Sequence, residues 1–243
     1  MSRPPAFLRM TAILAAALAL SAAALAQPGS GEAQPGWMQR TFYAGLKSLG
    51  LLFSDVGSLA SGPAAGEIWL YDSRTGQRRR IGAGTGLSWP APSPDGAAIY
   101  ALRGRQAVRV ANADGGESPL GAPADWRKLI GVVKDDWILG LVDDDPLPRP
   151  ALLGRDGSRL DLPAPATSEE RKRIGLLLQE TRQYEDGVIL EVRDSERGGR
   201  GRDVYLIQGG REKNLSDCGD DLCGQPARGP DKATFFFIRG GRP

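Results

Sequence analysis

A turn motif that recurs at near-constant spacing constrains the fold of this chain more than any other sequence feature. Its clearest copy is Ser-Pro-Asp-Gly at 93–96. Pro94 presets φ at the second turn position, and Gly96 tolerates the backbone conformation at the end of the turn. Weaker copies lie at 134–137, 184–187 and 229–232. The aspartates at the third position of the four turns are separated by 41, 50 and 45 residues. Since an apolar run follows each turn, we predict four β-hairpins that belong to one repeating unit.

Four further segments alternate with these hairpins and have a strand–turn–strand pattern. They turn at Thr-Gly, Asp-Gly-Gly, Asp-Gly and Gly-Gly, and they span 68–81, 108–120, 151–162 and 204–215. Four strands in a period near 45 residues are typical of a β-propeller blade. We therefore predict an all-β fold, a small propeller of about four to five four-stranded blades. An antiparallel sandwich with coincidental spacing is the alternative.

The two ends of the repeat predict how such a ring would close. The pattern begins on a third strand, at 68–72, and finishes on a second strand, at 234–238. The last strands can then complete the first blade and remove the exposed sheet edges. We predict that the phenylalanine-rich segment pairs with the segment around Trp69.

The N-terminal region predicts export. Residues 1–26 carry Arg3 and Arg9, then an apolar stretch too short to cross a bilayer, and they end in Ala-Leu-Ala. We expect a bacterial signal peptide cleaved after Ala26 and a periplasmic or secreted protein; an uncleaved anchor or a buried helix is the alternative. Residues 27–36 are expected to be a flexible leader, 37–66 an extension that is a helix or a partial blade, and 67–243 the propeller.

Charge and composition exclude several classes of protein. Without residues 1–26 the chain has equal numbers of basic and acidic residues, so it lacks the basic surface of a nucleic-acid binder. No second apolar stretch is long enough to cross a membrane. The absence of histidine excludes a Ser-His-Asp or Cys-His catalytic arrangement. No carboxylate pair stands out, and we predict no catalytic residue, no metal and no cofactor.

The two cysteines, Cys218 and Cys223, are separated by four residues. In an oxidising compartment this spacing favours a small structural disulfide that pins a surface connection. A redox pair and two ligands of a metal site are the alternatives. The spacing is not Cys-x-x-Cys, and there is no histidine to complete a common zinc site.

Strand alternation predicts which face of a propeller would bind a partner. The tight Asp/Gly turns share one face, and the long connections at 142–150, 163–173, 194–203 and 216–224 share the other. We expect a partner at the long-connection face or in the axial channel beneath it. Two groups within these loops are candidate sites, three acids for calcium and three arginines for phosphate or an acidic partner, with a solvated loop as the competing interpretation. They are Asp143, Asp144, Asp145, Arg197, Arg200 and Arg202.

The repeat resembles the TolB-like propeller repeats of secreted bacterial proteins. The residues that carry the resemblance are 87–96 through Asp114-Gly-Gly and Leu120, with a weaker match at 214–217 and 225–232. It covers about residues 67–240 and implies a propeller architecture rather than an activity. The six-bladed periplasmic member of the family has a separate N-terminal α/β domain, for which this chain has no room, so its docking to a peptidoglycan-associated lipoprotein is not transferred. No functional residue of the family matches a position here.

These observations lead to a functional hypothesis with a rival. We expect a non-enzymatic periplasmic propeller that acts as a protein-interaction or envelope scaffold module, with an unidentified envelope protein as partner. The rival is a small-molecule or glycan binder, or a minimal glycan-cleaving enzyme, that uses carboxylates in the axial channel. A shortened relative with little remaining function is a third interpretation.

Overall fold

The computed structural model describes most of the chain beyond its N-terminal region. The described residues are 46–52, 64–82, 84–122, 124–133, 137–144, 147–196 and 200–241. They all belong to one compact unit, Trp37–Pro243. The expected signal peptide at 1–26 and the leader at 27–36 lie outside the described residues, as does most of the expected extension at 37–66, and the domain boundaries stay predictions.

The described residues form mainly β-strands, as the repeat predicts. Their bounds are β1 (Leu51–Leu52), β2 (Glu67–Asp72), β3 (Arg78–Ile81), β4 (Leu87–Pro92), β5 (Ala98–Arg103), β6 (Gln106–Ala111), β7 (Glu117–Pro119), β8 (Trp126–Val132), β9 (Ile138–Val142), β10 (Arg149–Leu153), β11 (Arg159–Asp161), β12 (Arg182–Tyr184), β13 (Ile189–Asp194), β14 (Arg202–Gln208), β15 (Arg211–Asn214), β16 (Leu222–Arg228) and β17 (Thr234–Gly240). The helix α1 (Ser168–Leu178) lies between β11 and β12.

Sixteen of the seventeen described strands form four antiparallel groups of four, and β1 pairs with the edge strand β12. We name them sheet 1 (β4-β5-β6-β7), sheet 2 (β8-β9-β10-β11), sheet 3 (β12-β13-β14-β15) and sheet 4 (β16-β17-β2-β3). Sheets 3 and 4 are joined by one parallel pair, Arg202 with Leu222. All four strand–turn–strand segments predicted from the sequence are present, as are sheets of four antiparallel strands of the kind found in propeller blades.

Sheet 4 combines strands from the two ends of the described chain. β17 pairs antiparallel with β2 from Thr234–Asp72 to Arg239–Glu67, and Phe237 lies opposite Trp69. The pairing predicted between the phenylalanine-rich segment and the Trp69 segment is therefore present. Successive side chains of β17 point to opposite faces, so this strand contributes to two separate cores.

The apolar cores lie between neighbouring sheets. One core joins sheets 1 and 2, a second joins sheets 4 and 1, and a third joins sheets 3 and 4. Phe236 and Ile238 face sheet 1, whereas Phe235 and Phe237 face sheet 3. A fourth core covers the remaining side of sheet 2 with Leu46 and α1. Each sheet is thus packed against a neighbouring element on a face that its alternating sequence makes apolar.

Helix α1 corrects an expectation, because the sequence pattern predicts a long connection over residues 163–173. A capping box starts the helix: the Glu170 N–H donates to Thr167 Oγ1 at 3.2 Å, and the Thr167 N–H donates to Glu170 Oε2 at 3.1 Å. Ile174 and Leu177, three residues apart, are buried against sheet 2. The Thr-Ser-Glu-Glu sequence carries this start signal, but the surrounding prolines obscure it.

Close approaches between glycines repeat at the outer ends of the sheets. Gly115, in the β6–β7 turn, lies against Gly82, which follows β3, so that a Cβ on Gly115 would overlap the Gly82 backbone. In the same way Gly157, in the β10–β11 turn, lies against Gly121, which comes shortly after β7. All four have positive φ, between 65° and 84°, which favours glycine. The packing of sheet 4 on sheet 1 is therefore repeated between sheets 1 and 2.

The pairing of β17 with β2 generates a prediction for Phe237, whose side chain is 1% exposed. Phe237→Ala should lower the free energy of unfolding by about 3–5 kcal/mol, because it leaves a cavity in the core between sheets 3 and 4. Leu160→Ala, at a side chain that is 40% exposed, should change it by less than about 0.5 kcal/mol. Urea unfolding of the two variants measures both values, and equal losses would contradict the packing described.

Candidate functional site

A deep concavity lies where the ends of four strands meet. The first strand of each sheet, β4, β8, β12 and β16, contributes its C-terminal end or the residues just beyond it. Residues 48–51 complete the wall, since Leu51 of β1 pairs with Tyr184 of β12. The cavity volume is about 770 Å³. We call this cavity the axial pocket.

The lining of the axial pocket combines apolar walls with cationic side chains. Ile130 and Val132 of β8 and Leu49 and Leu51 form apolar surface, and Pro92, Pro94 and Pro230 lie at the strand ends. The charged groups are Arg182, Arg228 and Lys232. Among the described residues that line the pocket, none is an aspartate or a glutamate. The described lining therefore combines apolar walls with three cationic side chains.

Arg228 is held in place at the side of the pocket. Its Nη1 lies 2.7 and 2.9 Å from the two carboxylate oxygens of Asp186, and its guanidinium lies 5.4 Å from the centre of the Tyr184 ring. The hydrogen bond from Arg228 lowers the pKa of Asp186. Burial raises the pKa of Tyr184, so its hydroxyl stays protonated at neutral pH.

A buried polar network lies further along the same four strands, on the side towards their N-terminal ends. The Trp89 N–H of β4 donates to Gln225 Oε1 of β16 at 2.6 Å, and the Gln225 N–H donates to Glu180 Oε2 at 2.6 Å. Lys128 Nζ of β8 donates to the Gln179 carbonyl at 2.8 Å and lies 3.9 Å from the centre of the Trp89 ring. Because Gln179 and Glu180 come just before β12, these contacts form a circuit through all four sheets. We call it the axial circuit.

Two equivalent bulges make the axial circuit possible. Trp89 and Gln225 each precede a proline, each has φ of 52°, and each lies in a register shift of its strand. A bulge leaves a backbone N–H outside the ladder. The Trp89 N–H of sheet 1 donates to the side chain of Gln225 in sheet 4. The Gln225 N–H of sheet 4 donates to the side chain of Glu180, which comes just before sheet 3. The same local device thus links two successive pairs of sheets.

The axial circuit contains buried charges of opposite sign. Lys128 is 0% exposed, and burial lowers its pKa well below the usual value, with Arg182 lowering it further and Glu180 raising it. Burial also lowers the pKa of Arg182, whereas the nearby Tyr184 and Glu180 raise that pKa. The carboxylate of Glu180 therefore stabilises the charged form of both cations.

Of the acids and arginines that stand out in the sequence, the described ones do not line the axial pocket. Asp143 pairs with Arg105 at 2.9 Å and with Arg127 at 3.3 Å, and Asp144 pairs with Arg149 at 3.4 Å. These acids follow β9, at the end of sheet 2 that is opposite to the pocket. Asp145 lies outside the described residues. Among the described residues, no cluster of three or more acids or cysteines is placed to hold a metal ion. The calcium role stays a prediction.

The predicted arginine group lies in the connection between β13 and β14. Arg202 approaches Asp194 at 3.5 Å, and Arg200 is exposed. Arg197 lies outside the described residues. The connection is at the same end of the molecule as Asp143, as strand alternation predicts, but it belongs to sheet 3 rather than sheet 2. Its role in anion binding also stays a prediction.

The disulfide predicted from the sequence is present between Cys218 and Cys223. Both cysteines are buried in the core between sheets 3 and 4. The Cys218 N–H donates to Asp203 Oδ1 at 2.7 Å, and Ser216 Oγ donates to the same oxygen at 2.9 Å. The bridge therefore fixes the connection that leads from β15 into β16, and its burial favours the structural interpretation.

Sequence reasoning missed the residues that face the axis. In β8 the charged residues Arg127 and Lys128 are neighbours, and strand alternation exposes Arg127 and buries Lys128. The shared Xaa-Pro step at Trp89 and Gln225 marks the bulges. The sequence around Arg182 and Glu180 contains no pattern that distinguishes these two residues. Their role depends on strands that are far apart in the chain.

Comparisons with known proteins concern the fold. No protein-family model and no curated protein matches the chain. Similar solved structures include a putative TolB from Agrobacterium tumefaciens (16% identity, 69% of this chain, TM-score 0.36) and TolB from Acinetobacter baumannii (15% identity, 72% of this chain, TM-score 0.34). An acylaminoacyl peptidase from Pyrococcus horikoshii is also similar (14% identity, 63% of this chain and 30% of the peptidase, TM-score 0.29). The chain spans 59% and 48% of the two TolB chains.

The two TolB proteins bear the name of the repeat that the sequence resembles. The described helices include none that is both long and apolar enough to cross a membrane.

The buried amine of Lys128 generates a prediction about pH. In the unfolded chain the lysine has its ordinary pKa of 10.5, whereas in the folded protein the pKa is well below it. Between the two values the unfolded chain binds more protons, so the free energy of unfolding should rise with pH across that range. Lys128→Met removes the titrating amine and keeps a long side chain. It should flatten the dependence of the free energy of unfolding on pH across this range.

Urea unfolding at a series of pH values measures the effect for the wild type, for Lys128→Met and for Lys47→Met, which is a control at an exposed position. The control should follow the wild type. Parallel profiles for the wild type and Lys128→Met would show that the amine does not titrate differently in the two states.

Proposed function

We propose that this chain is a non-enzymatic binding module of the bacterial cell envelope that holds a partner at its axial pocket. The proposed scaffold is a ring of four blades, sheets 1 to 4, closed by the pairing of β17 with β2. The contacts of the axial circuit support this arrangement, since they pass from each first strand to the next. The short β1 adds to the edge of sheet 3, which supports four blades rather than five.

The proposal places the protein outside the cytoplasm. Export by a signal peptide at 1–26, followed by a leader at 27–36 and an extension at 37–66, is part of the proposal. The disulfide between Cys218 and Cys223 supports it, because such bonds persist in oxidising compartments. The partner is proposed to be an envelope protein.

The axial pocket is the observation that carries the proposal. A concave, mainly apolar site with a few convergent polar groups is the default position for binding in a folded domain. The rival hypothesis of a glycan-cleaving enzyme needs two carboxyl groups, about 5 to 10 Å apart, across the site. The described lining offers cations in place of carboxylates. We therefore propose binding without catalysis.

Site-specific photo-crosslinking tests where the partner binds. Benzoylphenylalanine is introduced in separate variants at Lys232 on the rim of the pocket, at Arg200 in the opposite loops and at Leu160 on β11. We expect the Lys232 variant to give a discrete adduct in the native cell envelope and the Leu160 variant to give none. Val133→Trp, which fills the pocket from its edge, should abolish the Lys232 adduct.

The same experiment contains the results that would contradict the proposal. An adduct at Arg200 without one at Lys232 would place the partner on the long-connection face that the sequence pattern favours. A Lys232 adduct that persists in the Val133→Trp background would show that the partner does not use the pocket.

A further inference from the structure

We infer that the axial pocket contains an anion subsite, centred on Arg182, that binds a carboxylate attached to an apolar group. The inference rests on the proposed function of the pocket and adds the chemistry by which it selects what it binds. Neither the sequence motifs nor the similarity to other proteins points to this subsite. It follows from the position of one guanidinium and from the groups around it.

The first argument is the state of Arg182. Its side chain lines the pocket, and the residue is only 7% exposed. A guanidinium has five N–H donors, and within the part of the chain that the structure describes no acceptor receives a hydrogen bond from this one. No Arg182 nitrogen is among the fully buried polar atoms without a partner, so its donors reach the surface of the pocket, where an acceptor can bind them. An acceptor supplied from the pocket side would satisfy Arg182.

The second argument is the balance of charge around the guanidinium. Glu180 attracts Arg182, but its Oε2 already accepts the Gln225 N–H, and its charge also acts on Lys128. Arg182 lies close enough to Lys128 to lower the pKa of its amine. Glu180 is therefore shared between two buried cations, and an anion that enters the pocket brings a further negative charge to Arg182.

The third argument is the arrangement of the other cations. Asp186 fixes Arg228, whose side chain is 10% exposed, so that it lines the pocket in a defined position. Lys232 is exposed at the rim and is free to turn towards an entering anion. A cationic ligand would meet Lys232 and Arg182 as like charges, and Arg228 beside its partner Asp186. An anion would meet Lys232 first and then the buried Arg182.

The walls and the size of the pocket define the rest of the ligand. The same cavity is lined by apolar side chains, namely Leu49, Leu51, Ile130 and Val132. Its volume of about 770 Å³ lies in the range usual for small-ligand sites. A planar carboxylate matches the fork of a guanidinium, which can bind it through two parallel hydrogen bonds. The carboxylate comes from a free amphiphilic acid or from an acidic residue of a partner protein, and both place an apolar group beside an anion.

Isothermal titration of the full mature chain tests the subsite with three probes that differ only in the head group. Decanoate carries the carboxylate, decanol is neutral and decylamine is cationic. We expect decanoate to bind at least about tenfold more tightly than decanol, because only decanoate offers an acceptor with charge to Arg182. Decylamine should bind more weakly than decanol.

Substitution of the guanidinium separates recognition of the anion from simple apolar binding. Arg182→Met should lower the affinity for decanoate by at least about tenfold and leave the affinity for decanol unchanged. Arg182→Lys keeps the charge but loses the forked guanidinium, so its affinity for decanoate should lie between those of the wild type and of Arg182→Met. Arg211→Met is the matched control, since Arg211 is exposed on β15 and does not line the pocket. It should bind decanoate as the wild type does.

Two results would overturn the inference. One is equal affinity of the wild type for decanoate and decanol, and the other is wild-type affinity for decanoate in folded Arg182→Met. A measurement on the unmodified chain covers the case in which the variant does not fold. Decanoate should shift the Nε–Hε resonance of Arg182 in a ¹⁵N NMR spectrum more than decanol does, and equal shifts would also overturn the inference.

A further arm distinguishes the source of the carboxylate. An acetylated Leu-Leu-Glu amide peptide is compared with its Gln analogue and with decanoate. Tighter binding of the Glu peptide than of decanoate assigns the carboxylate to a protein segment, and the reverse order assigns it to a free acid. The proposed function fails separately, through loss of the Lys232 crosslink, even if decanoate binds as expected.

Discussion

The antiparallel pairing of β17 with β2 is the interaction on which the other features of the structure depend. It builds one four-stranded sheet from segments that are more than 160 residues apart, and it gives that sheet two apolar faces. Phe236 and Ile238 pack towards sheet 1, while Phe235 and Phe237 pack towards sheet 3. Without this pairing, both neighbouring sheets would expose a core face, and β16 would lose the strand that holds Gln225 in position for the axial circuit.

The axial circuit connects this architecture with the candidate site. Bulges at Trp89 and Gln225 release backbone N–H groups that bind side chains of the preceding sheet, and Lys128 continues the circuit to the residues before β12. Burial of the charged groups of Lys128 and Arg182 is unfavourable, and Glu180 offsets part of that cost for both. Of the two, Arg182 lines the axial pocket, so it is the group that a ligand in the pocket would meet.

Local sequence patterns predicted much of the fold and little of the candidate site. The turn at Ser93–Gly96 and its copies have a mechanism in the turn residues themselves, and alternation then fixes the strands and the pairing of Phe237 with Trp69. Helix α1 was missed because its capping box lies within a proline-rich stretch. The axial pocket was missed because it is assembled from β4, β8, β12 and β16, and no short segment contains more than a part of it. The described members of the predicted loop sites, Asp143, Asp144, Arg200 and Arg202, lie at the other end of the sheets.

Amide hydrogen exchange on the full chain and on a chain that ends at residue 230 is the most direct test of the pairing of β17 with β2. Removal of β17 should abolish slow exchange in β2 and β3 and should also speed up the amide of Trp89, which depends on Gln225 of the neighbouring β16. Slow exchange in sheet 2 should be affected less, because its cores are formed with sheet 1 and α1. Wild-type protection of β2, β3 and Trp89 in the shortened chain would contradict the account.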